Sequence, residues 1–279
     1  MNYRHEFHAG NFADVFKHIL LTRILAYLMR KDAPAVYIDT HSGAGLYDLA
    51  GEAAKATKEA LAGVGRLKPP FPPLVEELVA DWARLAGVDA KLAMPATYPG
   101  SPLIAQQLLR AQDRICLVEK HHGAAGSLRI ACGRDRRLKL FEADGYATLK
   151  ALVPPPERRG LVLIDPPFEA SSEFADLRLA LDEALKRWPQ GTFAIWYPVK
   201  DQEPERLVAH LAAMRREKVL RLELDIDSPT PGALSACGMI VINAPFVLAA
   251  EARRLLPWLA QTMRQGDNPR WRVDEVRAG

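Results

Sequence analysis

Short runs of consecutive apolar residues alternate along most of the chain with longer stretches in which apolar positions recur every three or four residues. The first pattern predicts strands buried on both faces and the second predicts amphipathic helices. Together they imply a doubly wound α/β domain, a mostly parallel sheet covered by helices on both sides. Seven strands are expected, over residues 35–39, 115–119, 138–141, 161–165, 192–197, 220–225 and 239–243. Helices are expected over 101–112, 171–187 and 203–216. Another opens after Asn11, which caps it, with Phe12, Val15, Phe16 and Leu20 on its apolar face.

Residues 49–99 break this rhythm. They are rich in Ala, Glu, Lys and Leu, offer no convincing strand, and contain the rigid turn Pro69-Pro70-Phe71-Pro72-Pro73. The expected organisation is therefore a main domain of residues 1–48 and 100–279 with a small helical subdomain, 49–99, inserted into it. From Gln265 onward the chain is polar and loop-like apart from Trp271, and is expected to be poorly ordered.

Composition narrows the function classes. With 279 residues, 49% hydrophobic and 25% charged, the chain is long enough for one large domain with an inserted partner and is not disordered by composition. No apolar run approaches the roughly 20 residues that a membrane span needs, and the first residues lack a secretory pattern, so a cytoplasmic location is expected. Cys116, Cys132 and Cys237 are odd in number and widely separated, which suggests buried thiols rather than a disulfide framework or a zinc knuckle. A net charge of +3 permits a nucleic-acid partner without demanding one. Of the basic clusters, Arg134-Asp135-Arg136-Arg137, Arg215-Arg216 and Arg253-Arg254 are expected on solvated faces, and Arg158-Arg159 lies opposite the expected site.

The candidate chemistry gathers at strand ends. Asp39-Thr40-His41-Ser42-Gly43-Ala44-Gly45 follows the first strand, where two glycines allow a tight turn and close backbone approach to a ligand. Neither G-x-G-x-x-G nor G-x-x-x-x-G-K-[ST] is present, which disfavours a nicotinamide oxidoreductase and a phosphate loop. A nucleoside cofactor usually requires an acidic residue about 20 positions after such a loop. Glu119 meets that spacing once residues 49–99 are set aside, because Ser101 then opens the intervening helix and Glu119 follows it by 18 residues. Asp144-Gly145 comes after the third strand and reads either as an acceptor for an adenine amino group or as an ordinary turn.

The sharpest feature is Asp165-Pro166-Pro167-Phe168 at the end of an apolar strand. Two prolines stiffen the backbone and remove amide donors, so the Asp165 carboxylate and the Pro166 carbonyl can both accept from one ligand group. An exocyclic amine on a planar base has two N–H donors and a delocalised lone pair. Two acceptors that take both hydrogens draw the nitrogen toward tetrahedral geometry and free that pair as a nucleophile, while Phe168 is placed to stack on the base.

Asp165-Pro166-Pro167-Phe168 resembles the [D/N/S]-P-P-[Y/F/W] motif of S-adenosylmethionine-dependent amino-methyltransferases. Combined with residues 3–18, the 39–45 loop, Tyr98-Pro99-Gly100-Ser101-Pro102, Trp196-Tyr197-Pro198-Val199 and the 235–243 segment, it is similar to the RlmJ family of bacterial 23S ribosomal RNA adenine-N6 methyltransferases over nearly the whole chain. The resemblance implies a Rossmann-like class I methyltransferase fold, S-adenosylmethionine as cofactor, and 23S rRNA, naked or in an early assembly intermediate, as partner. It also implies a monomer. On the matching positions it carries over His18, His41, Ser42, Gly43, Ser101, Glu119, Asp144, Gly145 and Asp165 as cofactor-contacting residues. Asp165 is the catalytic acceptor, with Pro166, Pro167 and Phe168 completing its loop, and Tyr3 and His5 lie in the segment implicated in RNA contact. Tyr stands in the family where this chain has Phe168, which keeps stacking and loses a hydroxyl, and Phe12 receives no role.

Competing readings attach to several of these residues. His5, His8, His18 and His41 crowd the first 41 residues and invite a metal site, but no cysteine or paired carboxylate completes a tetrahedral set, and methyl transfer from a sulfonium needs none. By pattern alone Asp14, Lys17 and His18 are solvated helix residues, and Tyr3 and His5 a frayed terminus. The rival functions are methylation of DNA adenine or of a protein glutamine by the same motif, and a catalytically idle RNA-binding assembly protein.

Overall fold

The structure, a computed structural model, describes residues 4–214 and 218–276. In chain order its elements are α1 (Phe12–Leu28), β1 (Val36–Asp39), β2 (Leu46–Asp48), α2 (Glu52–Thr57), α3 (Glu59–Ala62), α4 (Glu76–Leu85), β3 (Thr97–Pro99), α5 (Ser101–Leu108), β4 (Arg114–Val118), α6 (His122–Cys132), β5 (Leu138–Phe141), α7 (Gly145–Leu152), β6 (Gly160–Ile164), α8 (Glu173–Arg187), β7 (Thr192–Pro198), α9 (Glu203–Ala213), β8 (Val219–Asp225), β9 (Ala236–Ile242), α10 (Leu248–Met263) and β10 (Arg270–Val276), with 3₁₀ turns at His5–Phe7 and Val64–Arg66.

The main sheet runs β10-β8-β9-β7-β6-β1-β4-β5. The pairs β7–β6, β6–β1, β1–β4 and β4–β5 are parallel, while β9 and β10 run antiparallel to their neighbours. Apolar side chains on the two faces build two buried clusters, one beneath α1, α5 and α10 and one beneath α8 and α9. From β1 the chain continues outward through β4 and β5, then returns to place β6 on the other side of β1. That reversal opens a crevice beyond the carboxyl ends of β1, β4 and β6, the place where open α/β sheets bind ligands.

Two expectations about the strands need correction. The sheet has eight strands rather than seven, because the polar tail contributes β10, which pairs antiparallel with β8 from Arg270↔Asp225 to Val276↔Val219. As an edge strand it is mostly exposed and carries charges, so it lacks the apolar run that marked the others. The interval 49–99 is mainly helical but also contains β3, which pairs antiparallel with β2 from Leu46↔Pro99 to Asp48↔Thr97. A three-residue strand is too short to leave a period-2 signature.

α1 is capped as expected, with Asn11 Oδ1 accepting from the Asp14 amide at 3.0 Å. It is buried on nearly all sides, and this includes Asp14, Lys17 and His18, so the solvated-helix reading of those three is wrong. Arg134, Arg136 and Arg253 are exposed as expected, whereas Arg137 and Arg159 donate to backbone carbonyls and Arg254, 39% exposed, braces α4 through Leu74 O and Glu77. Arg215 and Arg216 lie outside the described residues. Cys116, Cys132 and Cys237 are free and buried. No helix among the described residues is long and apolar enough to cross a membrane.

Candidate active site

A single cleft of about 2190 Å³ lies over the carboxyl edge of the sheet. It is lined by His5, Lys17, His18, His41, Ser42, Gly43, Ser101, Glu119, Asp144, Asp165, Pro166, Pro167 and Phe168, among others. Of the remaining candidate residues, Gly145 opens α7 behind the rim, and Tyr3 lies outside the described residues.

Each strand end contributes one carboxylate. Asp39, fully buried at the end of β1, accepts from Tyr37 Oη at 2.8 Å and Ser101 Oγ at 2.7 Å, both on Oδ2. Burial pushes its carboxyl up to about 6 despite these hydrogen bonds. Glu119, just past β4, accepts from the Gly43 amide at 2.8 Å and the His121 amide at 2.7 Å, and so ties the glycine turn to the second strand end. A Cβ on Gly43, which has φ +64°, would lie 2.3 Å from Tyr47 Oη, so only glycine allows this turn to close. Asp144 caps α7 by accepting from the Ala147 amide at 3.0 Å, which with the nearby Lys120 ammonium at 3.2 Å lowers its carboxyl pKa. His41 packs edge-on against Tyr146, and burial holds its imidazole down at about 4.

Asp165 follows β6 and meets a group that sequence pattern missed. Lys17 Nζ donates to Asp165 Oδ2 at 2.6 Å and lies 2.8 Å from Asp14 Oδ1. Asp14 in turn pairs with His5 Nε2 at 3.0 Å and accepts from the Gly10 amide. Burial works against the Lys17 charge, but the two carboxylates more than offset it and hold the ammonium well above its ordinary value. Burial likewise disfavours the Asp14 anion, yet His5 and Lys17 carry its pKa well below the usual carboxylate range. The network places a fixed positive charge against one oxygen of Asp165 and leaves the other unclaimed by Lys17. Phe168 has φ +49°, a conformation unusual for an aromatic residue, and its ring lies 4.7 Å from Phe174 and 6.0 Å from Trp196. The loop is thus held in a costly shape by an aromatic wall on one side and an ion pair on the other.

A family model described as Ribosomal RNA large subunit methyltransferase D, RlmJ, matches residues 32–276. The chain belongs to the RlmJ family. Ribosomal RNA large subunit methyltransferase J of Escherichia coli is 42% identical over 265 residues, covering 93% of this chain and 92% of that one. The Haemophilus influenzae protein of the same name is 40% identical over 283 residues and covers 99% of both. A crystal structure of a Legionella pneumophila protein superposes with a TM-score of 0.87 at 32% identity, covering 96% of this chain and 98% of that one.

Within this member of the RlmJ family, the sequence-derived set converges on one cleft, apart from Gly145 behind its rim and Tyr3. Three functional groups escaped it. Lys17 reads as an ordinary amphipathic-helix residue because its partner, Asp165, is 148 positions away, and Asp14 reads so because its role is to hold Lys17 and His5. Asp39 was read only as part of the glycine loop, although its burial marks it as a distinct ionisable centre.

Proposed function

We propose that this chain, as a SAM-dependent ribosomal RNA methyltransferase of the RlmJ family, methylates the exocyclic N6 of an adenine in 23S rRNA, with Asp165 as the acceptor that orients the amine. The observation that carries the reading is the Lys17–Asp165 contact of 2.6 Å at the end of β6, inside the cleft that also presents Glu119 and Asp144.

The residues fit S-adenosylmethionine by their chemistry. Asp14, Asp39, Glu119, Asp144 and Asp165 border or underlie the cleft, matching a ligand with a sulfonium and an ammonium, a ribose diol and an adenine amine. Gly43 keeps the turn close to the strand ends where such a ligand lies. In this reading Glu119 takes the ribose hydroxyls, Asp144 and Gly145 the adenine end, and His18, His41, Ser42, Gly43 and Ser101 the remainder. When bound, S-adenosylmethionine supplies an electrophilic methyl group.

The chain's own residues then do the positioning. The free oxygen of Asp165 and the carbonyl of Pro166 accept the two amino hydrogens of the target adenine. Pro167 stiffens the loop, and Phe168 offers a face for the base at the end of its aromatic wall. The gain in rate comes mainly from holding the amine in line; Asp165 accepts its hydrogen bond without removing a proton first, and the methylated amine, made acidic by its new bond, then sheds its extra proton. In this reading His5, with Tyr3 two positions before it in the sequence, meets the flipped nucleotide. The protein acts as a cytoplasmic monomer without a metal, since methyl transfer from a sulfonium needs none. Residues 49–99 form a subdomain inserted between 1–48 and 100–279, a division supported by the β2–β3 ribbon, which brings Asp48 beside Thr97 where the chain leaves and returns.

The test incubates the purified protein with S-adenosylmethionine and protein-free large-subunit rRNA from unmodified cells, then quantifies N6-methyladenosine by mass spectrometry after digestion. Accumulation that disappears in Asp165→Ala, while that variant still binds the cofactor, is the expected result. No accumulation, with the cofactor bound, moves the acceptor to ribosomal particles, DNA or protein.

A further inference from the structure

A buried polar chain runs from the interval 49–99 to His18 in the cleft, and its first two members, Trp82 and Tyr98, have no part in the chemistry above. Trp82 of α4 donates its Nε1–H to Tyr98 Oη at 3.3 Å, and Tyr98 Oη lies 3.0 Å from His18 Nδ1. Trp82 and Tyr98 are 0% exposed and His18 1%. His18 and Tyr98 also stack, with ring centroids 5.5 Å apart. The other ring nitrogen of His18 makes no hydrogen bond among the described residues, and His18 lines the cleft.

Hydrogen counting fixes what these contacts leave undetermined. The indole N–H is a donor only, so Tyr98 Oη must accept from Trp82. The Tyr98 hydroxyl proton then needs an acceptor, and His18 Nδ1 is the other polar neighbour recorded for it. Were Nδ1 protonated instead, the tyrosine oxygen would face two donors and its own proton would be buried without a partner, at a cost of roughly 1–3 kcal/mol. Nδ1 is therefore the acceptor, and the imidazole proton sits on Nε2.

We infer that Trp82 and Tyr98 are positioning residues that hold His18 as a neutral Nε2–H donor facing the cleft, set to meet an acceptor atom of the bound cofactor. Neutrality has independent support: burial, with Lys17 adjacent, holds the imidazole down at about 3. The ligand half of this inference rests on the cofactor reading given above, whereas the tautomer half does not. It also gives α4 a task, because the helix sets a hydrogen-bond donor in a cleft it does not line.

The test begins with the ligand-free protein. Long-range proton–nitrogen correlation spectra of histidine-labelled protein at neutral pH are expected to show His18 with Nε2 protonated and Nδ1 bare. Tyr98→Phe removes the donor to Nδ1, so the spectrum should shift toward the other tautomer and the Kd for S-adenosylmethionine, by calorimetry, should rise roughly tenfold. Trp82→Phe frees the tyrosine hydroxyl to reverse, so both tautomers should appear; it serves if Tyr98→Phe does not fold. A wild-type spectrum with Nδ1 protonated, or variants that fold and leave the tautomer unchanged, overturns the inference. Failure of the wild type to bind S-adenosylmethionine while the spectrum is as expected overturns the cofactor reading and the ligand half, and leaves the tautomer assignment standing.

Discussion

Lys17 sits between two carboxylates, 2.8 Å from Asp14 and 2.6 Å from Asp165, with 7% of its side chain exposed. Removing one partner of such a set leaves uncompensated buried charge. Lys17→Met should therefore let the Asp165 side chain leave its position, and single-turnover methylation is expected to slow by about 10²-fold or more, the range associated with losing a positioned acid–base partner. Cofactor affinity, by calorimetry, should change far less than turnover; equal losses in both would mean that Lys17 shapes the cofactor pocket instead. Sequence alone exposed one half of this pair. Asp165 stands in a rigid Asp-Pro-Pro-Phe loop whose chemistry can be argued locally, whereas Lys17 has no local mark and gains its meaning only when the fold brings α1 against the end of β6.

At the scale of elements, the site depends on strand ends and helix starts meeting without slack. α7 begins against β1 so tightly that a Cβ on Gly145 would lie 2.2 Å from the Thr40 carbonyl oxygen. Gly145→Ala must push α7 outward and carry its cap, Asp144, with it. Cofactor affinity is expected to fall roughly tenfold, as for loss of one charged hydrogen bond, with a lower melting temperature; unchanged affinity in calorimetry would remove Asp144 from the cofactor site. β10 offers a second test. Truncation after Gln265 strips the antiparallel partner from β8, so amide exchange in β8 should accelerate while that in β1 and β6 at the sheet centre stays slow. Uniform acceleration would show that the edge strand supports the whole sheet. The central strands were legible because they are buried on both faces and read as apolar runs, as in the five buried residues of β6. β10 is not, because only Val273 and Val276 of its residues pack partly against the core, Trp271 is 45% exposed and charged residues fill the rest.

Across the whole molecule, buried ionisable groups decide how the fold responds to acid. Burial holds His18 and His41 at about 3 and about 4, below the ordinary histidine value of 6.5. Because the unfolded chain binds those protons first, the stability these neutral imidazoles contribute is complete above pH 6.5 and is lost as pH falls toward 4 and then 3. Asp14, held well below the carboxylate range, adds a further loss below pH 4. Asp39 works in the opposite direction: raised to about 6, it favours the fold as pH drops from 6 toward 4, and His8, raised by its hydrogen bond to Glu59, acts in the same sense more weakly at its half-exposed position. Two imidazoles outweigh one carboxyl, so the net change between pH 7 and pH 4 should be a loss on the order of a few kcal/mol, seen as a melting temperature lower by roughly 10 °C. His41→Gln, which removes one of the two imidazoles while keeping a polar side chain, should make that slope shallower. A melting temperature that is flat from pH 7 to pH 4 in the wild-type protein would mean that these two histidines are not held neutral in the fold.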